Sequence, residues 1–246
     1  MTRLASIHCQ PRIGWQGPLA LKMREGLAKI GIQAQITDSR LRAGLGFPIL
    51  LGTSSWRGIE SHGEYLLVDR CSFGDTERYV SLVWNGHGRR GDHRIPLSPC
   101  PSRWEGMGIE LAPWQQRGSR VVLCGQTEPY SPHWGRIEDW YKTVPATHFR
   151  PHPATNSPNL LPTAFDFSDC KAAVVLNSSI AVKAVMGGVP TVTMDEGSMA
   201  WDVTGHSLDD IRTPDRRPWA HVLAWTQWSH DEIREGTPIA HLFEGM

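Results

Sequence analysis

No apolar run in this sequence approaches the ~20 residues that a membrane-spanning helix needs, so no membrane partner is expected. Cysteine is sparse. The five cysteines, at positions 9, 71, 100, 124 and 170, are odd in number and form no C-x-x-C pair, which excludes a disulfide framework and a thiolate zinc knuckle. The opening MTRLASIHCQPRIGW lacks the basic start and apolar stretch of a secretory leader, so a reducing cytoplasm is the expected compartment. Net charge is zero, and there is no internal repeat or low-complexity tract. Lysine is also scarce: five lysines stand against 20 arginines, a bias toward bidentate contacts with phosphate or carboxylate.

What is present is enough for a packed interior. The chain has 246 residues, of which 40% are hydrophobic and 20% charged, fitting one large domain or two smaller ones. Charge is unevenly spread: residues 1–118 carry 15 Lys/Arg against 10 Asp/Glu, and residues 119–246 carry the reverse. The first part therefore suits an anionic partner.

Both parts alternate strand and helix. Leu4–Cys9 is a short apolar strand, and LALKMREGLAKI (19–30) has the apolar spacing of a helix, stopped by Gly31. IQAQI, FPILLG (47–52), YLLVDRCSF (65–73) and YVSLVW (79–84) follow as strands. Residues 96–118 are rich in proline, glycine and tryptophan and read as loop and linker. VVLCGQ (121–126) opens a second series: a helix over GRIEDWYKTV, a short strand THFRP, a helix in the 160s, a strand AAVVLN (172–177), a helix SSIAVKAVMGG and a strand VPTVTM (189–194). PWAHVLAWTQW (218–228) reads as one amphipathic helix, and Ser229-His-Asp-Glu232 as a capping box starting another.

Two motif-like strings are set aside. GHGRRG (86–91) matches G-x-G-x-x-G after a strand, but the proline-rich DHRIPLSPCP that follows cannot be the helix of a dinucleotide fold. His148 and His152 have metal-ligand spacing, yet Pro151 between them forbids the helix that would align them; no metal site is expected. The strong signal lies at strand ends. Gly125–Gln126, Arg150–His152 and Asn177–Ser178–Ser179 each follow a strand, and ligands of open α/β sheets bind outside the carboxyl ends of strands. Pro151 and Pro153 hold Arg150 and His152 on a stiff extended segment. Ser178 is a natural N-cap, and the helix start behind it offers N–H groups and partial positive charge to a phosphate. If the strands are neighbours, these groups form one anion cradle.

Strand-G-Q, R-P-H-P and S-S-x-x-x-x-A-x-x-x-G-x-P-x-V together resemble the donor half of GT-B-type glycosyltransferases, nearest to bacterial capsule and sialic-acid transferases with His-Pro and Ser-Ser motifs. The strings E-G-S-M-A-W (Glu196–Trp201) and A-W-T-Q-W (Ala224–Trp228) also resemble uncharacterised bacteriophage proteins. The likeness covers roughly residues 119–230. It implies two Rossmann-like α/β lobes with parallel sheets facing a central cleft: an acceptor-side lobe over 1–115, the linker 96–118, and a donor lobe over 119–246 whose last helix can cross back to the first lobe. Carried over by position, Gln126, Arg150, His152, Ser178 and Ser179 contact the donor, beside Gly125 and Asn177. Many of these enzymes have a glutamate, often on the donor ribose, where this chain has Lys183; the nucleoside is left open, and Lys183 can add charge toward the phosphate.

The implied reaction is metal-independent, inverting sugar transfer from a nucleotide sugar, with no permanently bound cofactor. Arg150 and His152 face the leaving phosphate. Asp69, after the buried strand, is the first candidate for the base, with Asp92 and Asp75 behind it. Arg89, Arg90, Arg94 and exposed Trp84 and Trp104 suit an anionic, aromatic acceptor, and a hydroxymethylated pyrimidine in double-stranded phage DNA is favoured over a glycan. The host cytoplasm is then the setting. A nucleotide-sugar epimerase or hydrolase on the same fold, and a binding module without catalysis, stay open.

Overall fold

The computed structural model describes residues 3–10, 12–38, 46–52, 63–73, 77–116, 118–126, 137–152 and 167–243. The chain divides into two compact units, one formed by Met1–Met107 with Ala220–Met246 and the other by Gly108–Trp219.

The first unit is a six-stranded sheet. Its strands are β1 (Arg3–His8), β2 (Ile32–Thr37), β3 (Phe47–Leu51), β4 (Leu66–Arg70), β5 (Tyr79–Trp84) and β10 (Gln227–Ser229), in the order β10-β5-β4-β3-β1-β2. β1 to β4 are parallel, and β5 is antiparallel to both β4 and β10. Helix α1 (Gln16–Lys29) buries Leu19, Ala20, Met23 and Leu27 on one stripe, and Gly31, at φ +78°, ends it as the glycine's position requires. That stripe joins Ile7, Ile49, Leu66, Val68, Leu82, Trp84 and Trp228 in the core. The pleat sends Leu50, Leu67 and Val83 to the other face.

The C-terminal residues belong to this unit, not to a donor lobe running to 246. PWAHVLAWTQW is not one helix: α5 (Arg217–Ala224) stops, and Gln227–Ser229 pairs with β5 instead. The reason is packing, since Trp228 is nearly fully buried in the first core, a position only an extended segment on the β5 edge reaches. The capping box forms as expected: Ser229 Oγ accepts from Glu232 N at 3.1 Å and Ser229 N donates to Glu232 at 2.8 Å, opening α6 (His230–Glu235). A last helix, α7 (Thr237–Phe243), follows. α6 crosses α1 at glycines: a Cβ on Gly26 would stand 2.0 Å from the Ile233 carbonyl. The expected linker is not all loop either. α2 (Pro101–Met107) carries Arg103, which lies over the Trp228 ring at 4.0 Å and pairs with Glu232 at 2.7 Å.

The second unit is a four-stranded, wholly parallel sheet of β6 (Arg120–Cys124), β7 (His148–Arg150), β8 (Cys170–Val175) and β9 (Thr191–Thr193), in the order β7-β6-β8-β9. Trp140 of α3 (Ile137–Thr143) covers Leu123, Val174 and Val192. α4 (Ile180–Met186) packs on β8 and β9 through Ala181, Val182, Ala184 and Val185. The helix expected in the 160s lies outside the described residues. Among the described residues, no helix is long and apolar enough to cross a membrane.

Candidate functional site

The order β7-β6-β8-β9 fixes where a ligand can sit. From β6 the chain winds one way to β7, then crosses back past β6 to β8 and on to β9, so the C-terminal ends of β6 and β8 flank a topological switch point, where the following loops diverge and leave a crevice. Gly125–Gln126 follows β6, Asn177–Ser179 follows β8 after Leu176, and Pro151–His152 follows β7 next door. The three groups expected to converge do lie on one edge of one sheet.

Gly125 makes the junction tight. Its N–H donates to the Arg150 carbonyl at 2.7 Å, and a Cβ there would come within 2.8 Å of His152 N. Gln126 is held from both ends. Its N–H donates to the Tyr141 hydroxyl at 2.7 Å, that hydroxyl donates back to the Gln126 carbonyl at 3.1 Å, and Nε2 donates to Asn177 Oδ1 at 2.5 Å. The amide pair Gln126–Asn177 thus bridges the crevice floor, so the ends of β6 and β8 keep their spacing.

His152 is half-buried, and burial, with the nearby Arg150 charge, lowers its pKa below the usual 6.5. It is a neutral donor or acceptor at pH 7, one that an arriving phosphate would help to protonate. In the same sheet, burial raises the Cys124 thiol to about 12 despite Arg150, and the Cys170 thiol to about 11, so neither supplies a thiolate.

The helix behind the serines differs from expectation. The N-cap falls on Ser179, already in helical conformation and without a side-chain cap, while Ser178 Oγ accepts from Ile180 N only at 3.5 Å. α4 has seven residues, so its partial charge at the N-terminus is small. Lys183 is exposed on the face of α4 away from the buried stripe. A fourth strand end was missed: after β9, buried Asp195 accepts from Gly197 N at 2.7 Å, fixing a turn that leaves Glu196 exposed and Ser198 buried. Its signal was available, since Asp-Glu-Gly-Ser follows VPTVTM just as Gly-Gln follows VVLC.

In the first unit, Asp69 sits at the C-terminal end of β4, half-buried. Oδ1 accepts from Arg70 N at 2.7 Å, and Oδ2 lies 3.4 Å from His87 Nε2. GHGRRG makes this contact. Asn85 turns the chain at φ +49°, Asp92 bridges back to Trp84, a Cβ on Gly91 would strike Val83, and His93 Nδ1 and Nε2 lie 2.8 and 3.0 Å from the Leu82 and Gly88 carbonyls. The loop therefore lies on the Val83 face of the sheet, the face from which Asp69 projects. Gly88–Arg90 is a single 3-10 turn.

Asp92 is occupied by Arg94, with Nε to Oδ2 at 3.0 Å. Asp75 lies outside the described residues. Arg89, Arg90 and Arg94 are exposed. The tryptophans are not: Trp84 is 3% exposed and donates to the Leu242 carbonyl, and Trp104 is 8% exposed against Phe73. Neither can stack on a base; each is spent on packing, the commoner use of an indole. Among the described residues no group of three or more His, Cys, Asp or Glu is placed to hold a metal ion.

Neither a protein-family profile nor a curated protein matches the chain. Among solved structures it is similar to KpsC of Thermosulfurimonas dismutans, a beta Kdo 2,7 transferase, with a TM-score of 0.55 and 13% identity over 96% of this chain and 99% of that one. The likeness shows the fold: two α/β units with parallel strands, of the GT-B type.

Proposed function

We propose that this chain transfers a sugar from a nucleotide-sugar donor to an acceptor hydroxyl. The observation that carries the reading is that Gln126, bonded to Asn177 across the switch point between β6 and β8, and Arg150–His152, at the end of the adjoining β7, follow neighbouring strand ends of one sheet. The GT-B-type fold and the transferase activity of KpsC support it. In the proposed step, the acceptor oxygen bonds to the anomeric carbon as the carbon–oxygen bond to the donor phosphate breaks. The phosphate leaves with the electron pair, and the Arg150 guanidinium and a His152 that gains a proton stabilise it. For the acceptor's proton the candidate base we carry is Asp69 in the first unit, whose Oδ2 stands 3.4 Å from His87 Nε2.

For the acceptor, a hydroxymethylated pyrimidine in duplex DNA remains the reading we carry, now resting on the exposed Arg89 and Arg90 beside His87. Burial of Trp84 and Trp104 removes its stacking argument. The test is incubation with UDP-, GDP-, ADP- and CMP-sugars, with hydroxymethylated DNA, with a capsule-type glycan, or with no acceptor. Sugar on DNA supports the full reading, and sugar on glycan supports transfer but overturns the DNA acceptor. Donor consumed without acceptor makes the chain a hydrolase or epimerase. Binding without any turnover overturns catalysis.

A further inference from the structure

The Gln126 side chain is only half used. Gln126 is 9% exposed, and its main-chain N–H and carbonyl are both taken by the Tyr141 hydroxyl. Nε2 is spent on Asn177 Oδ1. Oε1, sealed from solvent, has no hydrogen-bond partner among the described residues. A buried carbonyl oxygen left without a donor is unfavourable, and such orphans persist in native proteins mainly where a ligand or bound water completes them. This one sits where the sheet topology puts a ligand, and the bond to Asn177 turns the oxygen away from the partner strand end.

We infer that Gln126 is a specificity-determining residue that accepts a hydrogen bond from an O–H or N–H of the donor's nucleoside or sugar. This deepens, and rests on, the donor-site reading above. It also separates Gln126 from the phosphate contacts. At neutral pH a donor phosphate offers oxygens that accept, and an amide oxygen facing them would repel; Arg150 and His152 meet the phosphate, whereas Gln126 reads the group attached to it. Three sources share this chemistry: a ribose hydroxyl, an exocyclic base amine and a hydroxyl of the transferred sugar. The locked geometry makes the contact selective. Because the amide cannot rotate without breaking the bond to Asn177, a ligand presenting an acceptor at this point would leave two oxygens facing each other, and a site built around a buried acceptor rejects analogues that lack the donor.

The experiment measures dissociation constants by calorimetry on the full chain, wild type and Gln126→Met, which keeps length and loses the acceptor. The probes are CMP, UMP, UDP, GDP and ADP, their 2′- and 3′-deoxy forms, the matching nucleotide sugars, and inorganic pyrophosphate. Gln126→Met is expected to weaken the best nucleotide or nucleotide sugar at least tenfold while pyrophosphate changes less than twofold. The ligand lacking the recognised group binds both proteins equally, as a double cycle requires. Equal affinity with a deoxy form assigns the ribose hydroxyl, an effect confined to the intact nucleotide sugar assigns the sugar, and an effect confined to amino bases assigns the amine. The deoxy arm on wild-type protein needs no variant to fold. An equal loss for pyrophosphate, or no loss for any probe, overturns the inference while leaving the donor site standing. Wild-type protein that binds none of the probes overturns the donor site itself, and this inference with it.

Discussion

A Cβ on Gly125 would stand 2.8 Å from the backbone nitrogen of His152, nearer than side-chain carbons pack. The glycine is what lets β6 end against β7, so Gly125→Ala must push Arg150 and His152 outward. Donor affinity measured by calorimetry is expected to fall at least tenfold, ~1.4 kcal/mol. The loss should exceed that caused by Gly17→Ala, where a methyl meets nothing within 4 Å.

His152→Ala should weaken donor binding or turnover at least tenfold. Burial, followed by Arg150, lowers the histidine's pKa from 6.5, so in the free protein it is neutral at pH 7. A bound phosphate favours the charged form, and binding then takes up a proton. Donor affinity is expected to tighten as pH falls from about 8 toward about 6, the range around the ordinary histidine pKa. His152→Ala should flatten that trend. The linkage to folding has the opposite sign: a depressed histidine supports the fold fully above 6.5 and ceases to as pH falls through its folded value.

Asp69→Asn should nearly abolish turnover while leaving nucleotide affinity unchanged, because Asp69 belongs to the first unit and the donor groups to the second. His87→Ala should reduce the rate by about 10²-fold or more, the usual worth of a positioned base. Full activity in both variants would move the proton acceptor elsewhere. Asp92, held by Arg94, would need that ion pair broken first.

Burial pushes the Glu232 carboxyl up, but Arg103 and the Ser229 N–H more than offset it, leaving its pKa below the usual 4.5. A depressed carboxylate stabilises the fold above its unfolded value and stops doing so as pH falls through the folded one. Thermal melting should therefore show Tm dropping on acidification below about 4.5, less steeply in Arg103→Met. At neutral pH that variant should lose ~2 kcal/mol, the scale of a charge-assisted hydrogen bond.

The strands and the shared C-terminal edge of the second sheet were legible because their cues are local. VVLC, AAVVLN and VPTVTM are buried runs, each followed by small polar residues, and a parallel α/β sheet puts all such ends on one side. What escaped depends on distant partners. Trp84 read as exposed because Leu242 and Phe243, which it packs against, come after residue 220, and Trp104 because its partner Phe73 lies well before it in the chain. AWTQW kept a helical period, yet an open β5 edge and a buried slot for Trp228 made it a strand, tertiary pairing overriding propensity. The sequence alone sets GHGRRG aside as a dinucleotide loop, but that its glycines serve close packing that brings His87 to Asp69 depends on distant partners.

The second unit is one continuous stretch, Gly108–Trp219, and the first is written in two pieces on either side of it. On a ribosome adding roughly 5–20 residues per second, the later unit in the reading order is thus the earlier one to be complete. The first sheet meanwhile waits with β5 as an uncovered edge, the kind of surface that pairs with stray strands, until Gln227–Ser229 arrives to close it. A nascent chain halted before residue 220 would hold a finished four-stranded sheet and an unfinished six-stranded one, so the inserted unit is completed first.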